Sequence, residues 1–206
     1  MKRFGAILAV CAACAFLPGS AFSQEQSTGD KRLLVAVVDF KNQSGDAAHD
    51  PLAAGITGTL ITELQKTKTF RLVERERLES VLNELKLGMS GLVDPVNAKE
   101  VGKQLGVDAL LFGNLSAVKY SQSKNTIGIM WTEAQKTEVS LDARLVRVDT
   151  GEVLASSQVS VPVSQRKWVA FWFAKIGKTV EKTAIVSTGI ESSCKRLAKE
   201  LAGQVQ

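Results

Sequence analysis

Histidine occurs once in this chain, at His49, and cysteine three times, at Cys11, Cys14 and Cys194. Zinc sites need several Cys or His ligands at short spacing, so no metal centre is expected. Nucleophilic catalysis is equally under-equipped. His49 lies beside Asp50 in a loop, no strand-turn-helix nucleophile motif accompanies it, and a hydrolase built on His49 stands as the weakest of three functional readings. The glycines of Gly55-Ile56-Thr57-Gly58 and of Gly102 to Gly106 are too sparse for a phosphate or dinucleotide loop, so no cofactor is expected. Glu74 and Glu76 are each flanked by arginine, which holds carboxylates ionised rather than preparing one as an acid. The chain reads as non-enzymatic.

Strong charge is missing too. The 206 residues carry 26 Lys and Arg against 21 Asp and Glu, a net +5. Lys2 and Arg3 belong to a segment that resembles an export leader: a basic start, the apolar run Ala6 to Leu17, a break at Pro18-Gly19, and small residues before a cut after Ser23. Its apolar run is short of the about 20 residues that cross a bilayer as a helix. Removing residues 1–23 leaves a net +3, too mild to suggest a nucleic-acid partner. Cleavage also removes Cys11 and Cys14, so no internal disulfide can form, and Cys194 falls on a helical stripe with Ile190 and Leu197 as a small core residue. Lipidation at Cys14 is the rival to cleavage, although the leucine usual three residues upstream is absent.

After a polar segment, 24–32, the rest of the chain, 33–206, reads as one domain. Leu33 to Phe40 is an unbroken apolar run suited to a strand buried on both faces. Asp50-Pro51 opens a helix carrying Leu52, Ile56, Leu60, Ile61 and Leu64. Phe70 to Glu74 is a second strand, Arg77 to Leu87 a helix, Asp94-Pro95 the start of another, and Val107 to Leu115 a third strand. From Glu138 to Leu145 apolar and polar residues alternate, as in a strand wet on one face, and Val153 to Val163 returns after the turn Asp149-Thr150-Gly151-Glu152. Pro162 fits only near an edge or strand end. Lys167 to Val205 reads as helical, with a break near Gly177 or Gly189. The fold class is therefore α/β (α+β): a mixed sheet of about five strands with helices packed on it, ending in a long antiparallel hairpin and a C-terminal helix.

Several segments in order carry a family resemblance: Val35-Ala36-Val37-Val38-Asp39-Phe40 with Asn42 and Gly45; Phe70-Arg71-Leu72-Val73-Glu74-Arg75 with Leu78; Leu92-Val93-Asp94-Pro95; Leu105-Gly106-Val107-Asp108-Ala109 leading to Gly113; and Leu145 to Leu154. Together they resemble the CsgG family of curli production assembly and transport components, over roughly Val35 to Ser157. The resemblance implies an exported protein of the periplasm or inner face of the outer membrane, acting by homo-oligomeric assembly and by binding other envelope or secretion proteins. In the family's namesake, a lipoprotein, subunits form a ring and lend strands to a shared outer-membrane barrel. A periplasmic regulator docking on a cell-wall synthase, as LpoB-type activators do, is the alternative.

Glu74, Arg75, Gly106 and Asp108 are expected to set the fold through turn and cap chemistry. Barrel strands would be inserted between Leu115 and Lys136 and again after Val163. Lys119, Lys124, Glu133 and Lys136 interrupt the alternation a lipid-facing strand needs, so a shortened soluble hairpin is expected in the first place. The second holds Trp168, Phe171, Trp172 and Phe173, four of the nine aromatics that follow Ser23. On a helix Trp168, Phe171 and Trp172 share a face; these with Phe173, and Trp131 from the hairpin, would serve membrane or partner contact, and the alternative is an aromatic helix face that covers the sheet.

Overall fold

The computed structural model describes residues 31–88, 95–127, 130–170, 174–176 and 182–205. The leader 1–23 lies outside these residues. Strand β1 (Leu34–Val37) runs between two parallel neighbours, β3 (Arg71–Leu72) and β4 (Ala109–Ile127). That central position explains its sequence: Val35 and Val37 point into one apolar cluster and Ala36 and Val38 into a second. The short β2 (Lys41–Asn42) continues along the same side of β4.

Helix α1 (Asp50–Thr67) has Pro51 in its first turn and ends at Lys68, which takes the left-handed conformation with φ 57°. His49, rather than Asp50, occupies its N-cap position. Helices α2 (Arg75–Glu84) and α3 (Pro95–Leu105) bury Leu78, Val81, Leu82, Val101 and Leu105 against Ala36, Val38 and Leu110. On the opposite face, α1 and the long α4 (Lys182–Val205) cover Val37, Leu111, Leu115, Val139 and Leu141. Two helices on each face of a mixed sheet make a three-layer fold.

The second half of the sheet is a meander of long strands, β4, β5 (Met130–Arg147) and β6 (Val153–Ala170), closed by the short β7 (Ala174–Ile176). The order is β3-β1-β4-β5-β6-β7, with β2 also on β4, so the five expected strands gain β2 and β7. Along β5, Val139, Leu141, Ala143 and Leu145 are buried while Arg144 is exposed, which is the alternation its sequence carries.

Two expectations need correction. The hairpin after Leu115 is not shortened: β4 and β5 pair from Ala109↔Arg147 to Ile127↔Met130. Three of the four charges that seemed to interrupt it are opposed across the ladder, Lys119 to Glu138 and Lys124 to Glu133, and opposite charges on facing strands stabilise pairing, while Lys136 lies opposite Ser121. No glycine or proline lies between Asn114 and Thr126 to stop the strand. Nor does the helix begin near Lys167. Residues 167–170 belong to β6, held in register by β5 as far as Met130↔Ala170, and α4 starts at Lys182.

Helix α4 passes through Gly189 without a break. A Cβ there would lie 3.0 Å from Val139 Cγ2, so the glycine lets the helix axis approach the sheet. Gly177 lies outside the described residues. One turn on, the buried Ser193 hydroxyl donates to the Val139 carbonyl at 3.0 Å, and Cys194 is fully buried against α1.

Candidate assembly surface

The four motif residues join β1 to the helices around it. Glu74 takes the extended N-cap conformation of α2 but makes no side-chain cap bond. Arg75, on the first turn, reaches back so that Nη2 lies 2.8 Å from Asp39 Oδ2 beyond the end of β1, while Nε donates to Glu79 Oε1 at 2.8 Å. The Glu79 hydrogen bond is the main cause of a raised Arg75 pKa, opposed by desolvation and aided by the Asp39, Glu79 and Glu76 charges. Gly106 ends α3 with φ +68°, a left-handed value that suits glycine. Asp108 then accepts from the Leu34 amide through Oδ2 at 2.7 Å, while its own amide donates to Leu34 O and its carbonyl accepts from Val148. A single carboxylate thus ties the α3–β4 turn to the start of β1. None of these groups converges on a cleft with a second reactive side chain.

The loop before α1 brings together Ser44, His49 and Asp46, a triad by residue type. Its geometry is that of a loop staple. Ser44 Oγ lies 2.7 Å from Asn42 Oδ1 and 2.8 Å from His49 Nδ1, whereas Asp46 Oδ2 is 4.0 Å from His49 Nε2. Asn42 also donates to the Asp46 carbonyl and to Asp50 Oδ1, and Asp46 caps the turn through the Ala48 amide. Each polar atom thereby closes the turn ahead of α1.

Beyond the helices the sheet continues as a ribbon. Lys182, at the start of α4, sits with its ammonium 5.1 Å from the centroid of the Tyr120 ring. From Ser121 the strands run on for about 20 Å at the usual rise per residue. Residues Ser121 to Asn125 are exposed, and both faces of the strand are polar there. Charges within the ribbon are satisfied locally: Glu138 accepts from the Ser160 hydroxyl, which with Lys119 and Lys136 lowers its pKa.

The outer edge of β6 is the notable feature of this ribbon. Among the described residues no strand pairs with it between Val153 and Lys167; β7 takes up only Trp168, Val169 and Ala170. One rung is sealed by a side chain. Gln204 of α4 accepts from the Ser156 amide and donates to the Ser156 carbonyl, both at 3.0 Å, replacing a strand partner. Ser156 therefore turns its main-chain groups outward, and by the alternation of an antiparallel ladder so do Gln158, Ser160, Pro162, Ser164 and Arg166. Pro162 fits because its missing amide faces this edge. The sequence had flagged Pro162, but Gln204 left no signal, since its partner lies 48 residues away.

Of the residues expected to make membrane or partner contacts, Phe171, Trp172 and Phe173 lie outside the described residues, as do the side chains of Trp131 and Trp168. The backbone puts Trp131 opposite Val169 and Trp168 opposite Thr132, on adjacent rungs. Among the described residues no helix is long and apolar enough to cross a membrane.

Several solved structures are similar to this chain. The LpoB C-terminal domain from Salmonella enterica shares 20% identity, with 63% of this chain and 82% of that one covered at a TM-score of 0.46. A PelC dodecamer from Paraburkholderia phytofirmans shares 13%, covering 83% and 88%, TM-score 0.47. A putative neuraminyllactose-binding hemagglutinin homolog from Helicobacter pylori shares 11%, covering 85% and 87%, TM-score 0.49. No curated protein sequence matches the chain. The model of the CsgG family, described as curli production assembly/transport component, matches residues 19–205, nearly the whole length, and the chain belongs to the CsgG family.

Proposed function

We propose that this protein is an exported envelope component that acts by assembly and not by catalysis, serving the secretion or construction of surface structures as an accessory of curli-type transport. Residues 1–23 direct export, and the mature chain works in the periplasm or at the inner face of the outer membrane. It self-associates and binds other envelope or secretion proteins. The observation that carries this reading is the ribbon of β4, β5 and β6, which outruns its helical cover and presents an unpaired strand edge from Gln158 to Arg166. Exposed edges recruit further strands unless something blocks them, and here Gln204 blocks one rung. Family membership supports the same reading.

Sedimentation velocity on residues 24–206 tests it. Association that grows with concentration is the expected result, and a monomer throughout the range would overturn it. Fractionation with mass determination of the N-terminus tests the export half: a soluble chain starting at Gln24 is expected, and an acylated Cys14 would replace cleavage by lipid anchoring. Recovery of a cell-wall synthase instead of secretion components from envelope extract would favour the regulator reading.

A further inference from the structure

A second surface lies at the other end of the sheet from the ribbon tip, where β4 and β5 pair through Leu110↔Val146 and Phe112↔Arg144. Helices α2 and α3 cover β1 and part of β4 on this face and reach the end of β5 at Val148, leaving Arg144 and Val153 exposed. Between α3 and the uncovered strands is a groove of about 220 Å³. Its floor is apolar, made by Leu110, Val146 and Val153, and Val153 is 54% exposed. Three cations stand around it: Lys99 on α3, and Arg144 and Arg147 on β5.

The cations are placed without being neutralised. Arg144 has its guanidinium 5.7 Å from the centroid of the Phe112 ring, a cation–π contact that holds the head group over the groove wall. Among the described residues none of the three forms an ion pair, although Asp149 and Glu152 occupy the turn between β5 and β6. The walls are set by close packing: a Cβ at Gly102 of α3 would collide with Val148, so the helix lies tight against the strand end. Apolar surface framed by unpaired positive charge complements a ligand that is anionic outside and apolar at its centre.

We propose that this groove docks an acidic peptide segment of a partner protein, with one apolar side chain seated on Leu110, Val146 and Val153 and flanking carboxylates on Lys99, Arg144 and Arg147. The volume suits a single large side chain. The cations surround one hollow and do not form the extended stripe that a nucleic-acid backbone or an anionic bilayer would favour. The site is separate from the β6 edge and stands whether or not that edge drives assembly.

Fluorescence anisotropy on residues 24–206 with labelled synthetic peptides tests the proposal. A Glu/Leu peptide is expected to bind and to weaken as salt rises, while a Glu/Ser peptide loses the apolar anchor and binds at least about tenfold more weakly. Arg144→Glu and Arg147→Glu, and independently the helix-surface change Lys99→Glu, each reduce Glu/Leu binding by about tenfold or more. The Arg144→Glu, Arg147→Glu double variant gains binding to a Lys/Leu peptide, a result that misfolding could not produce. Equal binding by wild type and variants, absence of Glu/Leu binding, or stronger binding to phosphatidylglycerol vesicles or single-stranded DNA would overturn it. Sedimentation of the same variants separates this site from assembly, because their association should match wild type.

Discussion

At the scale of single residues, the motif around β1 acts through main-chain geometry more than through charge. Asp108→Ala removes the acceptor of the Leu34 amide and is expected to cost about 1 kcal/mol in urea unfolding, with Asp108→Asn recovering part of it. Gly106→Ala should cost about 1 kcal/mol because φ +68° is unfavourable for any side chain. Gly113→Ala should cost more, about 1–3 kcal/mol, since its Cβ would enter the ring of the buried Phe40. The Cys194 thiol, pushed up to about 12 by burial and by the Glu63 charge, should resist maleimide in the folded protein and react once urea unfolds it. Much of this was readable in the sequence: a helix-ending glycine at Gly106 and a core position for Cys194 follow from local pattern. The reach of Arg75 to Asp39 and of Asp108 to Leu34 was not, because it depends on which strands lie side by side.

Secondary-structure elements show where local reading stops. The parallel half, β1 to α3, was legible because each segment has its own period and its own stop signal, such as Pro51 or Gly106. The meander was misjudged in length. Single-strand logic took Lys119, Lys124, Glu133 and Lys136 as interruptions, whereas cross-strand pairing sets the first three opposite charges of the other sign, and the helical pattern read from Lys167 overlaps residues 167–170, which β5 holds in register as strand. The element that regulates the β6 edge is α4. Gln204→Ala should expose the Ser156 rung, lowering stability by about 1 kcal/mol and increasing concentration-dependent association in sedimentation. Glu200, one turn before Gln204 on α4, accepts from Ser157 and from Arg196, and these lower its pKa. A depressed carboxylate pKa contributes stability above the unfolded value and loses it as pH falls through the folded one. Wild type is therefore expected to lose stability in urea titrations as pH falls below 4.5, and Glu200→Gln to flatten that loss.

Within residues 32–206 the CsgG-family chain is an α/β core with a strand ribbon extending from one end. Three layers make the core self-sufficient, since α1 and α4 close one face and α2 and α3 part of the other. Helix α4 packs on the face of β6, but among the described residues no strand pairs with its edge from Gln158 to Arg166. The ribbon's described faces between Ser121 and Asn125 are polar, and the proposed assembly runs through its main-chain edge. The decisive measurement is sedimentation velocity of residues 24–206 beside Ser164→Pro, which removes an outward-facing amide while leaving the β5 ladder intact. The account predicts concentration-dependent oligomers for wild type and association weakened at least about tenfold by the substitution, with unchanged thermal unfolding. A wild type that stays monomeric, or a Ser164→Pro variant that assembles equally well, would contradict it.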